Sequence, residues 1–204
     1  MKFLVFPLVL FLVGCSSMQN DRMNSNKLLD AAPKGETEVR NPDWSVPPSN
    51  ANSGVRGPLG QVRTSSYQAL QQFLLHNRID YEVLPGSHVM VRLKDSIQFE
   101  TGSAQLSQAS YYWLSVMSGF LSQQRGIDVV IDGHTDTVGQ SMFNDSLSVR
   151  RADMVKNTLV KNNVSEGSIY TRGYGEYIPA CSNRTTAGRA CNRRVELLLI
   201  VLND

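Results

Sequence analysis

The chain of 204 residues carries 20 Lys and Arg against 18 Asp and Glu, a formal net charge of +2, and 41% of its residues are hydrophobic. This near balance of charge excludes a basic protein that coats nucleic acid or another polyanion. The length suits one domain of roughly 100 to 200 residues or two small ones. The composition excludes both a wholly disordered chain and a polytopic membrane protein.

The chain begins with a short apolar segment. Lys2 is followed by an uninterrupted apolar run from Phe3 to Val13, which is typical of a signal peptide. As a helix this run rises only ~16 Å, against a hydrocarbon layer of roughly 30 Å, so it is too short to remain as a membrane span. We therefore predict that residues 1–14 are a signal peptide that is removed.

The residue after this segment is Cys15. The sequence Leu12-Val13-Gly14-Cys15 resembles the bacterial lipobox, which implies cleavage before Cys15 and lipidation of its sulfur and its new amine. Ser16, rather than Asp, at the next position implies sorting to the outer membrane, with the protein facing the periplasm. The alternative is an ordinary signal peptide followed by a chance cysteine.

A polar segment separates Cys15 from the rest of the chain. Residues from Ser16 to about Gly60 are rich in Asn, Ser, Pro and Gly and have no apolar periodicity. We predict that residues 15–60 are a lipidated flexible tether with an r.m.s. span of roughly 35 to 40 Å. The folded domain is then expected over residues 61–204.

Apolar periodicity predicts the helices and strands of this domain. The helices are expected at 66–77, 104–125 and 142–162, and the strands at 79–83, 89–93 continuing to 97–99, 127–132, 169–172 and 195–202. Helices that follow strands favour an α/β fold, here an α+β sandwich with helices packed on a mixed sheet. The predicted order is βαβαββ, preceded by a short helix and a β-hairpin strand.

Arg151 interrupts the apolar face of the third predicted helix. It lies four residues from both Leu147 and Val155, in the middle of the inward stripe. Its guanidinium is therefore either buried or lines a cleft at the start of the helix. Because a buried, unpaired guanidinium costs several kcal/mol, it needs an anionic partner, and Asp136 in the preceding loop is a candidate.

Short motifs along the second half of the chain carry a family resemblance. They are Gly133-His134-Thr135-Asp136, Asn144, Leu147-Ser148, Arg151-Ala152, Gly173-Tyr174-Gly175-Glu176, Pro179 and Asn192-Arg193-Arg194-Val195-Glu196. With these motifs, residues from about 88 to 202 resemble the OmpA-like peptidoglycan-binding domain, a family that includes the peptidoglycan-associated lipoprotein. The resemblance implies the OmpA-like fold and peptidoglycan as the ligand.

The resemblance also implies a binding site. In the family, the aspartate of the Gly-His-Thr-Asp motif and the arginine 15 residues later bind the diaminopimelate of the stem peptide; here they are Asp136 and Arg151. Since diaminopimelate ends in both an ammonium and a carboxylate, a carboxylate and a guanidinium open to solvent recognise both groups. Leu147 should pack on the aliphatic stem of the ligand. Asn144 should order the loop or donate to a ligand carboxylate.

The turn over residues 99–103 is a second element that the family uses, and it implies contacts from Thr101 and Gly102. This chain has Glu100 where the family commonly has Asp, and Gly102 where a larger polar residue is frequent, so the backbone is the expected point of contact. Arg193 and Arg194 leave two readings open. One of them reaches the cleft, or both form a solvated pair at a strand edge.

Some of these residues also occur in other kinds of site. Asp136 and Arg151 could pair with each other as a structural ion pair. The other histidines, His76 and His88, lie outside the loop of His134, so we expect no metal and no cofactor. Ser146 and Ser148 lack a Gly-x-Ser-x-Gly motif and an orienting acid other than Asp136, so we expect no enzyme activity. His134 is expected to be a hydrogen-bonded structural residue.

Cys181 and Cys191 flank a polar loop before the last predicted strand. In the oxidising periplasm we expect them to form a disulfide, which would hold the residues after Cys191 near the cleft. The three cysteines are then accounted for as one lipidation site and one bridge.

These expectations combine into two functional hypotheses. The first is an outer-membrane lipoprotein that binds peptidoglycan non-covalently and tethers the membrane or an envelope complex to the cell wall. The second is a structural subunit of an envelope-spanning secretion or motor apparatus that uses the domain for docking. A wall hydrolase ranks third, and nucleic acid is not an expected partner.

Overall fold

The computed structural model describes Lys34 and residues 65–202. In chain order, the described elements are α1 (Ser65–His76), β1 (Tyr81–Leu84), β2 (Val89–Leu93), β3 (Ile97–Gln98), α2 (Gln108–Leu121), β4 (Ile127–Gly133), α3 (Ser141–Lys161), β5 (Ile169–Gly173), α4 (Thr186–Asn192) and β6 (Arg194–Val201). The predicted signal peptide and Cys15 lie outside the described residues, as does the predicted tether apart from Lys34.

The strands form one mixed sheet in the order β1-β2-β6-β4-β5, and β3 also pairs with β6. Only the β4–β5 pairing is parallel among the described strands. The expected fold class, helices packed on a mixed sheet, is confirmed. The centre of the sheet is β6, the last strand described, which pairs with three others.

Alternation along the strands separates the two faces of the sheet. Val129 and Ile131 of β4 belong to the core that the helices cover, together with Leu197 and Leu199 of β6. The opposite face carries charge: the Asp132 carboxylate accepts two hydrogen bonds from Arg172 on β5, each 2.6 Å long. The sequence of β4 is nearly all apolar because the central residues of the strand are buried.

Three helices supply the other side of the core. Leu114 and Met117 of α2 and Val155 and Leu159 of α3 are fully buried against the sheet. The ring of Phe73 on α1 stacks on Phe120 of α2, with 4.4 Å between ring centroids. This contact joins the leading helix to the domain. No helix among the described residues combines the length and the hydrophobicity needed to cross a bilayer.

Several boundaries differ from the prediction: α2 spans Gln108–Leu121 rather than 104–125, and β1 begins at Tyr81 rather than at 79. In two places a capping side chain explains where a helix begins. α2 begins at Gln108 rather than at 104, because the Ser107 hydroxyl accepts from the amide of Ser110 at 3.1 Å. The segment between the cysteines was expected to be a loop, yet it contains α4. There the Thr185 hydroxyl accepts from the amide of Gly188 at 3.0 Å.

Gly133, the last residue of β4, lies against the backbone of α3. A Cβ at this position would overlap the carbonyl of Ser148 and come within 3.4 Å of the Ala152 Cβ. The absence of a side chain lets the helix approach the sheet, and this sets where the helix begins relative to the preceding loop.

Substituting Gly133→Ala is expected to lower the free energy of unfolding by about 1–3 kcal/mol or more, because neither backbone segment can yield easily. Gly119→Ala is the control: it lies within α2, and a Cβ there meets nothing within 4 Å. That change should raise stability by about 0.5–1 kcal/mol. Urea unfolding followed by circular dichroism measures both, and equal effects would contradict the assigned contact.

Candidate ligand-binding site

Three chain segments meet at one edge of the sheet because two strands end there beside the start of β6. Gln98 of β3 pairs with Arg194, and Gly133 of β4 pairs with Val195. The turn over residues 99–103 and the loop over residues 134–140 therefore emerge on either side of Arg193. The N-terminal half of α3 completes the site.

Arg151 of α3 is fully buried at this junction. Its Nε donates to the carbonyl of Ser103 at 2.9 Å, its Nη1 to that of His134 at 2.7 Å and its Nη2 to that of Glu100 at 3.0 Å. Its guanidinium also lies 5.1 Å from the centroid of the Phe99 ring. The planar fork thus joins the turn, the end of β4 and the helix.

The charge of Arg151 is not matched by a bonded carboxylate among the described residues. All three of its acceptors are neutral carbonyl oxygens. Burial lowers the pKa of Arg151 to about 10, although the nearby Asp136 carboxylate opposes the shift. The side chain therefore remains cationic at neutral pH, with spare donors and no bonded anion.

Asp136 is also buried, with 4% of its surface exposed. Its Oδ1 accepts from the amide of Val138 at 3.1 Å, and its Oδ2 accepts from Nη1 of Arg193 at 2.9 Å. The expectation that Asp136 and Arg151 stand open to solvent is therefore wrong. The two side chains form no ion pair with each other, because each is committed to other partners.

The two arginines at the start of the last strand have different partners in the structure. Arg193 reaches the site: its Nε donates to the carbonyl of Phe99 at 2.9 Å while its Nη1 binds Asp136. Arg194 is buried and binds Glu196 at 2.6 Å. A solvated pair at a strand edge is thus wrong for both. Arg193 was named in the sequence without a definite role, and the structure makes it the cation that Asp136 binds.

Asn144 holds the loop that carries Asp136. Its Nδ2 donates to the backbone carbonyl of Asp136 at 3.2 Å and to Oε2 of Glu176 at 2.7 Å. Glu176 belongs to the Gly-Tyr-Gly-Glu motif but was assigned no role from the sequence. Leu147, one turn before Arg151, is buried with 3% of its surface exposed, so its side chain is not presented to solvent.

The turn over residues 99–103 faces the site with its backbone. The carbonyls of Glu100 and Ser103 point inward to Arg151, whereas the side chain of Thr101 is exposed. Gly102 has a φ of 67°, a left-handed conformation that favours glycine. This conformation explains the glycine at position 102 of this chain.

His134 lies beneath the loop with its ring stacked on that of Tyr174, 5.1 Å between centroids. Its amide donates to the carbonyl of Arg194 at 2.9 Å, but neither ring nitrogen has a hydrogen-bond partner in the described part of the chain. His134 is thus hydrogen-bonded through its backbone, as expected of a structural residue, but not through its ring. Burial, and then the charges of Arg194 and Arg172, lower the pKa of His134 well below 6.5, so the ring is neutral.

Cys181 and Cys191 are joined in the structure, with 6.1 Å between their Cα atoms. Asn192 reinforces this connection: its Oδ1 accepts from the amide of Cys181 at 2.9 Å, and its Nδ2 donates to the carbonyl of Cys181 at 2.8 Å. The residue before Arg193 is thereby fixed on both sides. Within residues 65–202, no three His, Cys, Asp or Glu side chains are grouped to hold a metal ion.

Comparison with known proteins gives consistent matches. Residues 98–193 match the OmpA family. Outer membrane porin F of Pseudomonas fluorescens is 40% identical over 107 residues, which are 52% of this chain and 33% of that protein. Peptidoglycan-binding protein ArfA of Mycobacterium bovis is 38% identical over 103 residues, 50% of this chain and 32% of ArfA. The chain thus spans about a third of the length of either relative.

A solved structure extends the match to the fold. The peptidoglycan-associated lipoprotein of Burkholderia pseudomallei is 25% identical, with a TM-score of 0.50. The similarity covers 52% of this chain and 90% of that one.

His134 predicts an acid-dependent loss of stability. Below pH 6.5 the unfolded chain binds a proton at this residue, whereas the folded chain does not. The free energy of unfolding therefore decreases as the pH is lowered, by up to ~1.4 kcal/mol per pH unit. His134→Gln should flatten the curve between pH 7.5 and 5, while the exposed His76→Gln should leave it unchanged. Urea unfolding at several pH values tests this, and an equal slope in the wild type and His134→Gln would contradict it.

The cysteine pair predicts a defined thiol chemistry. In the purified protein, alkylation should modify two thiols only after a reductant is added, because Cys181 and Cys191 are joined and Cys15 is expected to carry the lipid. Replacing the pair with serine should cost roughly 3 kcal/mol of stability in the chain-entropy view. Mass spectrometry after alkylation is the measurement, and free thiols without a reductant would refute the bridge.

Proposed function

We propose that the chain is an outer-membrane lipoprotein that binds peptidoglycan non-covalently, on the premise that residues 98–193 match the OmpA family. It would tether the membrane, or an envelope complex, to the cell wall. The names of ArfA and of the Burkholderia lipoprotein support the ligand, and that of porin F supports the compartment. Lipidation of Cys15 and a tether over residues 15–60 complete the proposal.

The observation that carries the proposal is the unmatched charge of Arg151 beside Asp136. A guanidinium buried among neutral carbonyls favours the arrival of an anion, since bonds to a charged acceptor are shorter and stronger. The end of diaminopimelate brings a carboxylate and an ammonium on one carbon atom. Its carboxylate would bind at Arg151 and Arg193, and its ammonium would bind Asp136.

Binding at this site is an exchange of partners. The ligand ammonium displaces Nη1 of Arg193 from Asp136, and the released Arg193 joins Arg151 in holding the ligand carboxylate. Each charge-assisted hydrogen bond contributes roughly 1.5–3 kcal/mol, but the broken ion pair offsets part of the gain. The affinity of one site is therefore modest. Firm attachment of the membrane to the cell wall then comes from avidity, because many membrane-anchored copies bind one polymer.

The remaining predicted site residues act around this exchange. Asn144 keeps the loop of Asp136 in place through its two bonds, and Leu147 offers its apolar side chain to the ligand stem once the site opens. The exposed turn at Thr101 and Gly102 is the part of the rim that has to yield for a ligand to reach Arg151. We propose binding here, without catalysis.

A second candidate function rests on an exposed apolar patch beside the site. Val138, Met142 and Phe143 expose 50%, 82% and 47% of their surfaces. Apolar side chains grouped on a surface mark protein contacts more often than contacts with a polar polymer. This favours docking to a protein of an envelope-spanning secretion or motor apparatus.

Asp136→Asn is expected to reduce retention on purified sacculi by ~10-fold or more, because the amide oxygen lacks the negative charge that attracts the ligand ammonium. Asp153→Asn is the matched control, a partly buried aspartate on α3 outside the site. Co-sedimentation of the full-length protein measures retention, and thermal unfolding confirms that both variants fold.

Undiminished retention of Asp136→Asn would reject the assigned site. If Met142→Ser, rather than Asp136→Asn, releases the protein from the envelope, the apolar patch carries the attachment. That result would favour the second candidate function.

A further inference from the structure

A groove runs from the candidate site along β3. It has a volume of about 800 Å³, within the range of clefts that bind small ligands. One wall comes from residues 95–100, and the other comes from the first turns of α2 up to Trp113. No role for this groove follows from the contacts of Asp136 and Arg151.

The groove is continuous with the candidate site. Phe99, Glu100, Ser103 and Arg193 line it, and each of them also contacts Arg151 or Asp136. Arg193 lies at the junction, with Nη1 on Asp136 and Nε on the carbonyl of Phe99. A ligand that displaces Arg193 from Asp136 therefore enters at one end of the groove.

The side chains in the groove are polar and uncharged around one aromatic ring. The exposed amides of Gln98 and Gln105 and the hydroxyl of Ser110 line it together with the half-buried indole of Trp113. Amides and hydroxyls both donate and accept hydrogen bonds, and an indole offers an apolar face. This combination suits a sugar ring, which presents hydroxyls at its rim and C–H groups on its face.

The charge of the groove selects against an anionic ligand. Asp95 and Glu100 line it with exposed carboxylates, whereas Arg193, the cation among its described lining residues, lies at the end beside Asp136. The stem peptide of peptidoglycan carries carboxylates and would be repelled along this path. The glycan strand, whose amino groups are acetylated and whose lactyl carboxyl is amidated by the peptide, is neutral.

We propose that this groove binds the glycan strand of the same polymer, an N-acetylated amino-sugar chain, while the diaminopimelate end of the peptide occupies the site at Asp136. The proposal rests on peptidoglycan being the ligand. It makes recognition two-part: the charged site selects the peptide end, and the groove holds the backbone from which the peptide branches.

Calorimetric titration of the full-length protein in detergent tests this with two probes. One is the tripeptide L-Ala-γ-D-Glu-meso-diaminopimelate, and the other is the same tripeptide carrying its N-acetylglucosaminyl-N-acetylmuramyl disaccharide. The disaccharide probe should bind about ten-fold more tightly, as a few neutral hydrogen bonds allow. Equal, measurable affinity for both probes would overturn the groove proposal and leave the proposed function standing. No binding of either probe would overturn the proposed function itself.

Two variants test whether the tighter binding of the disaccharide probe arises in the groove. Ala109 is exposed and lines the groove, so Ala109→Arg should fill it and abolish the advantage of the disaccharide. Gln108→Arg adds the same side chain at the preceding, exposed position outside the groove and should preserve the advantage. Any effect of the added charge appears equally in the tripeptide titrations. An advantage that survives Ala109→Arg would overturn the assignment.

Discussion

The structure depends on the burial of one guanidinium. Arg151 donates to carbonyls that lie 48, 17 and 51 residues away along the chain, so one side chain fixes the turn before α2 and the end of β4 to α3. Removing such a group from water costs several kcal/mol unless its hydrogen bonds are replaced, and three carbonyls replace only part of that hydration. The fold therefore retains a cationic centre, and the exchange proposed for ligand binding uses that centre.

The sequence predicted the helices and strands well, because the apolar pattern within each element shows which of its own residues are buried. The apolar run of β4 and the periodic stripe of α3 each reflect a neighbour that covers them, and both elements end within a residue of expectation. The position of Arg151 within that stripe also raised the question of burial. Whether Arg151 is buried could not be predicted from the sequence, because its hydrogen-bond acceptors are backbone carbonyls and every residue has a backbone carbonyl.

The rest of the site depends on contacts between residues far apart in the chain, and such contacts leave weaker signals in the sequence. Arg193 and Asp136 are 57 residues apart, and their contact follows from the register of β6 against β3 and β4. The family resemblance named the residues but not their bonds. Asp136 and Arg151 were therefore expected to be open to solvent, whereas both are buried and each is bound to other groups. His134 was likewise recognised as structural, yet a buried ring without a hydrogen-bond partner runs against the ordinary rule for polar groups.

The place of β6 in the sheet has a consequence for how the chain matures. β6 is the last described strand along the chain, yet it forms the middle of the sheet by pairing with β2, β3 and β4. Until residues 194–201 have been synthesised, β2 and β4 have no strand between them, and their apolar faces cannot be sealed. Packing of the complete sheet is thereby postponed until β6 has been synthesised.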